Sequence, residues 1–168
     1  MRPHLSPFDR APSARRAAAA VVLAALAAVA TPVAAGRDTS GLKPNGHTPA
    51  LNYHQYCSGC HLVDGTGAPA KGIPNMRGVL GHFLRVDGGR EFIVKVPGVS
   101  HTPLADADVA SLMNWLLAGI AAPSRPPDAA PYTAEEVGRL RRTRLVDIPG
   151  TRAALVERMH AAGYRLQP

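Results

Sequence analysis

The chain has two cysteines, three positions apart with a histidine directly behind them: Cys57-Ser58-Gly59-Cys60-His61. That spacing constrains everything else. In a short helical turn, two thiols so placed can each add across one vinyl group of the same porphyrin. The adjacent imidazole then lies under the macrocycle, where it can ligate the iron. C-x-x-C-H is therefore read as the attachment pattern of covalent haem c, with Cys57 and Cys60 as thioether donors and His61 as an axial iron ligand. One haem uses both cysteines and leaves none for another task. The rival uses of a C-x-x-C pair fit less well. A redox dithiol expects a strand–helix–strand setting, and nothing after Cys60 reads as one. A structural zinc site expects four ligands at short spacings, whereas a single histidine follows directly and there is no second C-x-x-C.

The start of the chain agrees with this reading. Residues 1–16 are basic, Ala17 to Ala30 is an uninterrupted run of Ala, Val and Leu, and Val33-Ala34-Ala35 offers small residues for a signal peptidase. The pattern predicts a signal peptide over 1–35, cleaved after about Ala35. Its apolar run is short for a membrane span of about 20 residues, so no transmembrane span is expected in the mature, periplasmic protein. Export places the chain in an oxidising compartment, where haem attachment to C-x-x-C-H also takes place. The formal charge of +7 is inflated by this segment, which carries four arginines against one aspartate. No nucleic-acid partner is expected. With 16 glycines and 16 prolines, the remainder reads as loop-rich with a limited core of its own. A covalently held porphyrin would give such loops an apolar plate to pack on.

Taken in order, residues 36–47 read as a flexible lead-in. Thr48-Pro49 is a good helix start, and the helix should continue to Cys57. Tyr53 lies one turn before Cys57 and is expected beside the cofactor edge, as core filling. Leu62 to Pro69 is a loop in which Gly65 and Gly67 allow a tight turn beside a ligand. Phe92, Val94 and Val96 alternate with Glu91, Ile93 and Lys95, a pattern that suits a short strand. Asp106 to Ala122 is the clearest helix, with Val109, Leu112, Met113, Leu116, Leu117 and Ile120 at three- and four-residue steps. Residues 123–131 form a proline-rich linker. Beyond it, 132–168 reads as a basic helical extension. Thr133-x-x-Glu136 is a capping-box pattern opening a helix through about Arg142. Pro149-Gly150-Thr151 precedes a second helix, Arg152 to Ala162, ended by Gly163.

Three stretches together, Cys57-Ser-Gly-Cys-His61, Asp64-Gly65-x-Gly67-x-Pro69 and Pro74-Asn75-Met76-Arg77-Gly78, resemble a small class I bacterial cytochrome c with one haem. The resemblance covers about Pro49–Ala122, so the cytochrome domain is taken as 48–122. It implies an all-α fold of short helices and loops wrapped round one covalently bound haem, to which the C-terminal extension is added. It also implies that a carbonyl at or beside Pro74 accepts a hydrogen bond from the ligating imidazole. Met76 stands where the family usually has Leu, a position against the cofactor. The family has a short helix where residues 91–96 alternate, so by resemblance this stretch is read as a helix, in conflict with its pattern; the family also packs a Leu and an aromatic, here Leu112 and Trp115, on the first helix. Pro49 replaces a glycine that often lies at that crossing.

The resemblance leaves the sixth iron position open. Where the family carries a distal Met before a Pro, this chain has Thr102 before Pro103. His101, in the same loop, is the first candidate for the sixth ligand, and His101→Ala is then expected to turn a low-spin spectrum high-spin. Met76 is the alternative; Met113 and an iron without a protein ligand are also open. Arg85 and Arg90 are candidates to neutralise haem propionates; His47, His54 and His82 read as surface residues or propionate partners.

The expected function is a soluble electron carrier that cycles between Fe(III) and Fe(II), with no catalytic residues of its own. Its partner would be a redox protein, a dehydrogenase or an oxidase. The basic extension could dock on an acidic partner surface, or its apolar Val137, Leu140, Leu145, Leu155 and Val156 could cover the flank of the core. The competing readings are a peroxidase-like or ligand-sensing haem module with an open iron and His101 as distal base, and a haem subunit of a dehydrogenase complex.

Overall fold

Thr48 begins the first helix as its sequence suggests. Its hydroxyl accepts from the Leu51 amide at 3.2 Å, and Pro49 sits in the first turn, where its missing N–H has no partner to lose. Helix α1 runs Pro49–Tyr56, and one further turn, α2 (Ser58–His61), carries the second cysteine and the histidine. A computed structural model describes residues 43–166. The expected signal segment and the first part of the lead-in lie outside the described residues. Chain contacts divide the protein into residues 1–35 and 36–168, and all of the described residues belong to the second unit.

After α2 the chain passes through 3-10 turns at Pro69–Lys71 and Leu80–Arg85, then α3 (Gly89–Lys95), α4 (Pro97–Ser100) and α5 (Asp106–Ala118). A 3-10 turn at Ala122–Ser124 leads to α6 (Ala134–Arg141) and α7 (Ile148–Ala161). The described residues contain no strand, only an isolated bridge between Ala68 and Ile73. The protein is all-α, as expected, and no helix among the described residues is long and apolar enough to cross a membrane.

The alternation over 91–96 therefore belongs to a helix. Phe92, Ile93 and Val94 are consecutive and all buried, which one face of a helix cannot achieve. Here α3 is enclosed: it packs on Leu80–Arg85, on α6 and on α7. Helix α5 carries the centre of the core, with Val109, Leu112, Met113 and Leu116 buried, and meets α1 through Trp115 and Tyr53, whose rings are 5.5 Å apart. Asn45 ties the end of the lead-in to this crossing: its amide donates to Asp108 Oδ2 and its side chain to Asn52 Oδ1, each at 2.9 Å.

The segment after α5 shares the same core. Val137, Leu155 and Met159 are fully buried in one cluster with Val94 and Val109. The proline-rich stretch leading there is stitched down. The buried Ser124 hydroxyl accepts from the Gly81 amide at 3.0 Å. Asn114 holds both the amide and the carbonyl of Tyr132, at 2.8 and 3.0 Å. Thr133 caps α6 by accepting from the Glu136 amide. Helix α7 starts at Ile148, earlier than the expected Arg152, because Asp147 caps it by accepting from the Gly150 amide at 2.9 Å and Pro149 fits its first turn.

Glu136 does not reach back to complete a capping box. Arg90 takes both its oxygens, at 2.7 and 2.8 Å, and also donates to the carbonyls of Ala130 and Pro131. The guanidinium lies 3.9 Å from the centre of the Tyr132 ring, so one side chain joins α3 to α6 by charge and by stacking. The Arg90 hydrogen bonds hold the Glu136 carboxyl below its ordinary range. A carboxylate with a depressed folded pKa stabilises above its unfolded pKa, and that stabilisation is lost as the pH falls through the folded value. Glu136→Gln should therefore lower stability near neutrality and flatten the fall in stability at pH below about 4.5, the ordinary glutamate value. Urea midpoints of the two proteins between neutral and acid pH measure this; parallel curves would exclude the pair as an acid-sensitive contact.

Candidate functional site

The cavity of interest lies where α2, the Pro74–Leu80 stretch, α3, α4 and α5 meet, and its volume is about 490 Å³. Cys57, Cys60 and His61 form part of its wall, with Pro74 and Met76 beside them. Apolar side chains from α3, α4 and α5 supply most of the rest, among them Phe92, Ile93, Val99, Leu112, Met113 and Leu116. A flat apolar group suits such a lining.

The short α2 turn places both thiols and the imidazole on this one cavity. Cys57 is partly buried and Cys60 exposed, and no disulfide joins them. Burial pushes the Cys57 thiol up to about 11. A dithiol redox centre needs the opposite, a thiol pKa lowered by its surroundings. The described residues also contain no group of three or more His, Cys, Asp or Glu able to hold a metal ion, which removes support for the zinc reading.

His61 is oriented by the backbone. Its Nδ1 is 3.2 Å from the Pro74 carbonyl oxygen. A carbonyl can only accept, so Nδ1 carries the proton and Nε2 keeps its lone pair for a metal. Burial lowers the imidazole pKa, partly opposed by the Pro74 bond, and the neutral form is the one that can ligate iron.

The loop between them keeps Pro74 in reach. Gly67 has φ 65°, and a Cβ there would stand 2.5 Å from the Pro74 oxygen. Only glycine lets the loop lie this close. Its amide donates to the His61 carbonyl at 3.0 Å, and the Met76 amide to the Gly65 carbonyl at 2.8 Å. Leu62, the residue after the motif, adopts φ 60°, a conformation costly for a residue with a Cβ. The Tyr53 hydroxyl holds it there by donating to the Leu62 carbonyl at 2.6 Å.

Two expected site residues stand elsewhere. Tyr53 is buried in the core against Trp115 and does not line the cavity; Tyr56, three residues on, does. The hydroxyl bond to Leu62 and the ring contact with Trp115 draw Tyr53 into the α1–α5 crossing. His101, the expected sixth ligand, is exposed and does not line the cavity. The reason is α4: its turn presents Val96, Gly98 and Val99 to the cavity. The chain then turns away, and Thr102 is buried with its hydroxyl donating to the Val99 carbonyl at 3.0 Å. Val96, directly before Pro97, lines the cavity, whereas Thr102, before Pro103, does not. Met76 and Met113 are the thioethers on the cavity among the described residues.

Neither Arg85 nor Arg90 reaches the cavity lining. Arg85 lies over the Tyr164 ring at 5.0 Å, beside His82 stacked on the same ring, and Arg90 is committed to Glu136. The sequence reading missed three lining residues on α7: Ile148, Pro149 and Arg152. They lie far along the chain from the motif, and no local pattern marks them.

Against this geometry, cytochrome c-552 of Thermus thermophilus is 29% identical over 107 residues, covering 53% of this chain and 81% of that protein. A second cytochrome c-552, from a named strain of the same species, shows the same identity over the same length, covering 72% of its own chain. The likeness supports a c-type cytochrome. No protein-family model matches the chain, and no solved structure matches it. Taken with the all-helical build, the cytochrome likeness also supports the class I cytochrome c fold, short helices and loops round a central apolar site.

Proposed function

We propose that this chain is a periplasmic electron carrier bearing one covalent haem c. Cys57 and Cys60 form the thioether links, and His61 Nε2 is the axial ligand on the iron. The haem supplies one-electron chemistry between Fe(III) and Fe(II). The chain's own residues hold it, exclude water from it and orient the imidazole. The observation that carries the reading is the His61 Nδ1 contact with the Pro74 carbonyl, made beside both cysteines on an apolar cavity. A redox protein, a dehydrogenase or an oxidase, is the partner this chemistry calls for.

The deciding experiment is the absorption spectrum of oxidised and reduced protein made in cells competent for cytochrome maturation, with a pyridine haemochrome assay. A c-type haemochrome at one haem per chain is the expected result. Colourless protein with two titratable thiols would end the proposal. Because His101 stands off the cavity, His101→Ala should leave the spin state unchanged, contrary to the sequence expectation. A shift to high spin would return His101 to the iron.

A second reading is favoured by Val96 and Val99. The wall segment beside Pro97 carries no ligating atom, which suits an iron whose sixth position is open to small ligands. Carbon monoxide binding by the reduced protein at neutral pH separates the two. Ready binding selects the open site, and refusal selects a thioether from Met76 or Met113.

A further inference from the structure

Arg152 is the one permanently charged side chain on the cavity lining among the described residues, and it comes from α7. It is partly buried, and no hydrogen bond or ion pair engages it among the described residues. The chain's other arginines near this region are already used. Arg90 is held by Glu136, Arg141 by the carbonyls of residues 100–104, and Arg158 donates to the Asp87 carbonyl at 2.8 Å. A guanidinium partly buried on a mostly apolar wall gives up hydration without a counter-charge to replace it, and planar carboxylates are the partners it fits best.

We propose that Arg152 pairs with a propionate carboxylate of the bound haem, so that α7 is a working part of the cofactor site and raises its reduction potential. The proposal rests on the haem reading above. A positive charge beside the haem disfavours the oxidised state, which carries one more positive charge than the reduced state. A guanidinium beside a propionate also keeps that carboxylate ionised to lower pH. The titratable neighbours do not duplicate this role. On the lining they are Tyr56 and the thiols and imidazole of the haem-binding motif. On the elements packed against α7, His82 and Arg85 face Tyr164, Arg90 faces Glu136, and Glu91 is exposed, with Lys95 partly so. On α7 itself, Glu157, Arg158 and His160 are exposed, as is the capping Asp147.

The test is the reduction potential of the holoprotein from pH 5 to pH 9 for wild type, Arg152→Gln, Arg152→Lys and Arg158→Gln. The haemochrome assay on wild type comes first; its failure removes the haem reading itself, independently of Arg152. With haem present, Arg152→Gln should have a lower potential at high pH. It should gain a pH dependence, its potential climbing toward wild type as the released propionate takes up a proton. Arg152→Lys should restore most of the wild-type curve, and Arg158→Gln, an equal change of charge off the cavity, should leave it in place. Overlap of the Arg152→Gln and wild-type curves would overturn the proposal. So would an equal shift from Arg158→Gln, which would reduce the effect to net charge.

Discussion

Replacing Cys57 and Cys60 together by serine should give a chain that carries no acid-stable haem and does not hold its tertiary structure. The first half follows from chemistry: a serine hydroxyl does not form the thioether, and no other cysteine exists to take over. The second follows from the cavity. At roughly 24 cal/mol per Å³ of unfilled apolar volume, 490 Å³ corresponds to about 12 kcal/mol. Solvent at the mouth makes that figure a ceiling. Even half of it rivals the whole stability of an ordinary domain, about 5–15 kcal/mol. The variant should keep much of its helical far-ultraviolet signal, lose near-ultraviolet signal from Trp115, and bind a hydrophobic dye. A double variant that melts cooperatively at the wild-type temperature would show that the core stands without a group between its walls.

What could be read from the sequence was local. The Thr48 and Thr133 caps lie within one turn of the amides they serve, and both hold. The Pro74 contact to His61 spans a short loop whose glycines are visible as letters. The periodicity of α5 also survives, although the helix ends at Ala118, short of the expected Ala122, and is packed on by both α1 and α6, so that Asp108, Val109 and Ala110 are buried in succession. The rest needed tertiary information. The 91–96 alternation misleads because α3 is buried from several sides by elements that come later in the chain. His101 was placed by counting along the loop, but α4 inserts a turn that brings Val96 and Val99 to the wall instead. Arg152 reaches the cavity only because α6 and α7 fold back over α3, and nothing near Arg152 in sequence announces that. The C-terminal segment could be read either as a docking arm or as a cover. Its burial of Val137, Leu155 and Met159 in the common core favours the cover.

That packing makes Arg141→Ala the substitution with the largest expected effect outside the haem motif. Its guanidinium is 1% exposed and donates to the Thr102, Leu104 and Ser100 carbonyls at 2.7, 2.9 and 3.3 Å, and to Asp106 Oδ1 at 2.9 Å. One side chain on α6 thus satisfies the backbone between α4 and α5, where the chain makes no ladder of its own. Removing it leaves those carbonyls without that donor and takes the cation from beside Asp106. Breaking a buried pair in this way costs about 3–5 kcal/mol, enough to lower the melting temperature by on the order of 10 °C. Arg139→Ala, on the same helix but exposed, should change stability by less than about 0.5 kcal/mol. The loss should also be felt at the cavity, because residues 100–104 continue directly from the wall formed by Val96 and Val99. Hydrogen exchange over 96–104 should quicken in Arg141→Ala more than the global loss of stability accounts for. Equal denaturant midpoints for the two variants would mean that the segment after α5 is an appendage. A large gap with faster exchange at the wall means that it braces the site.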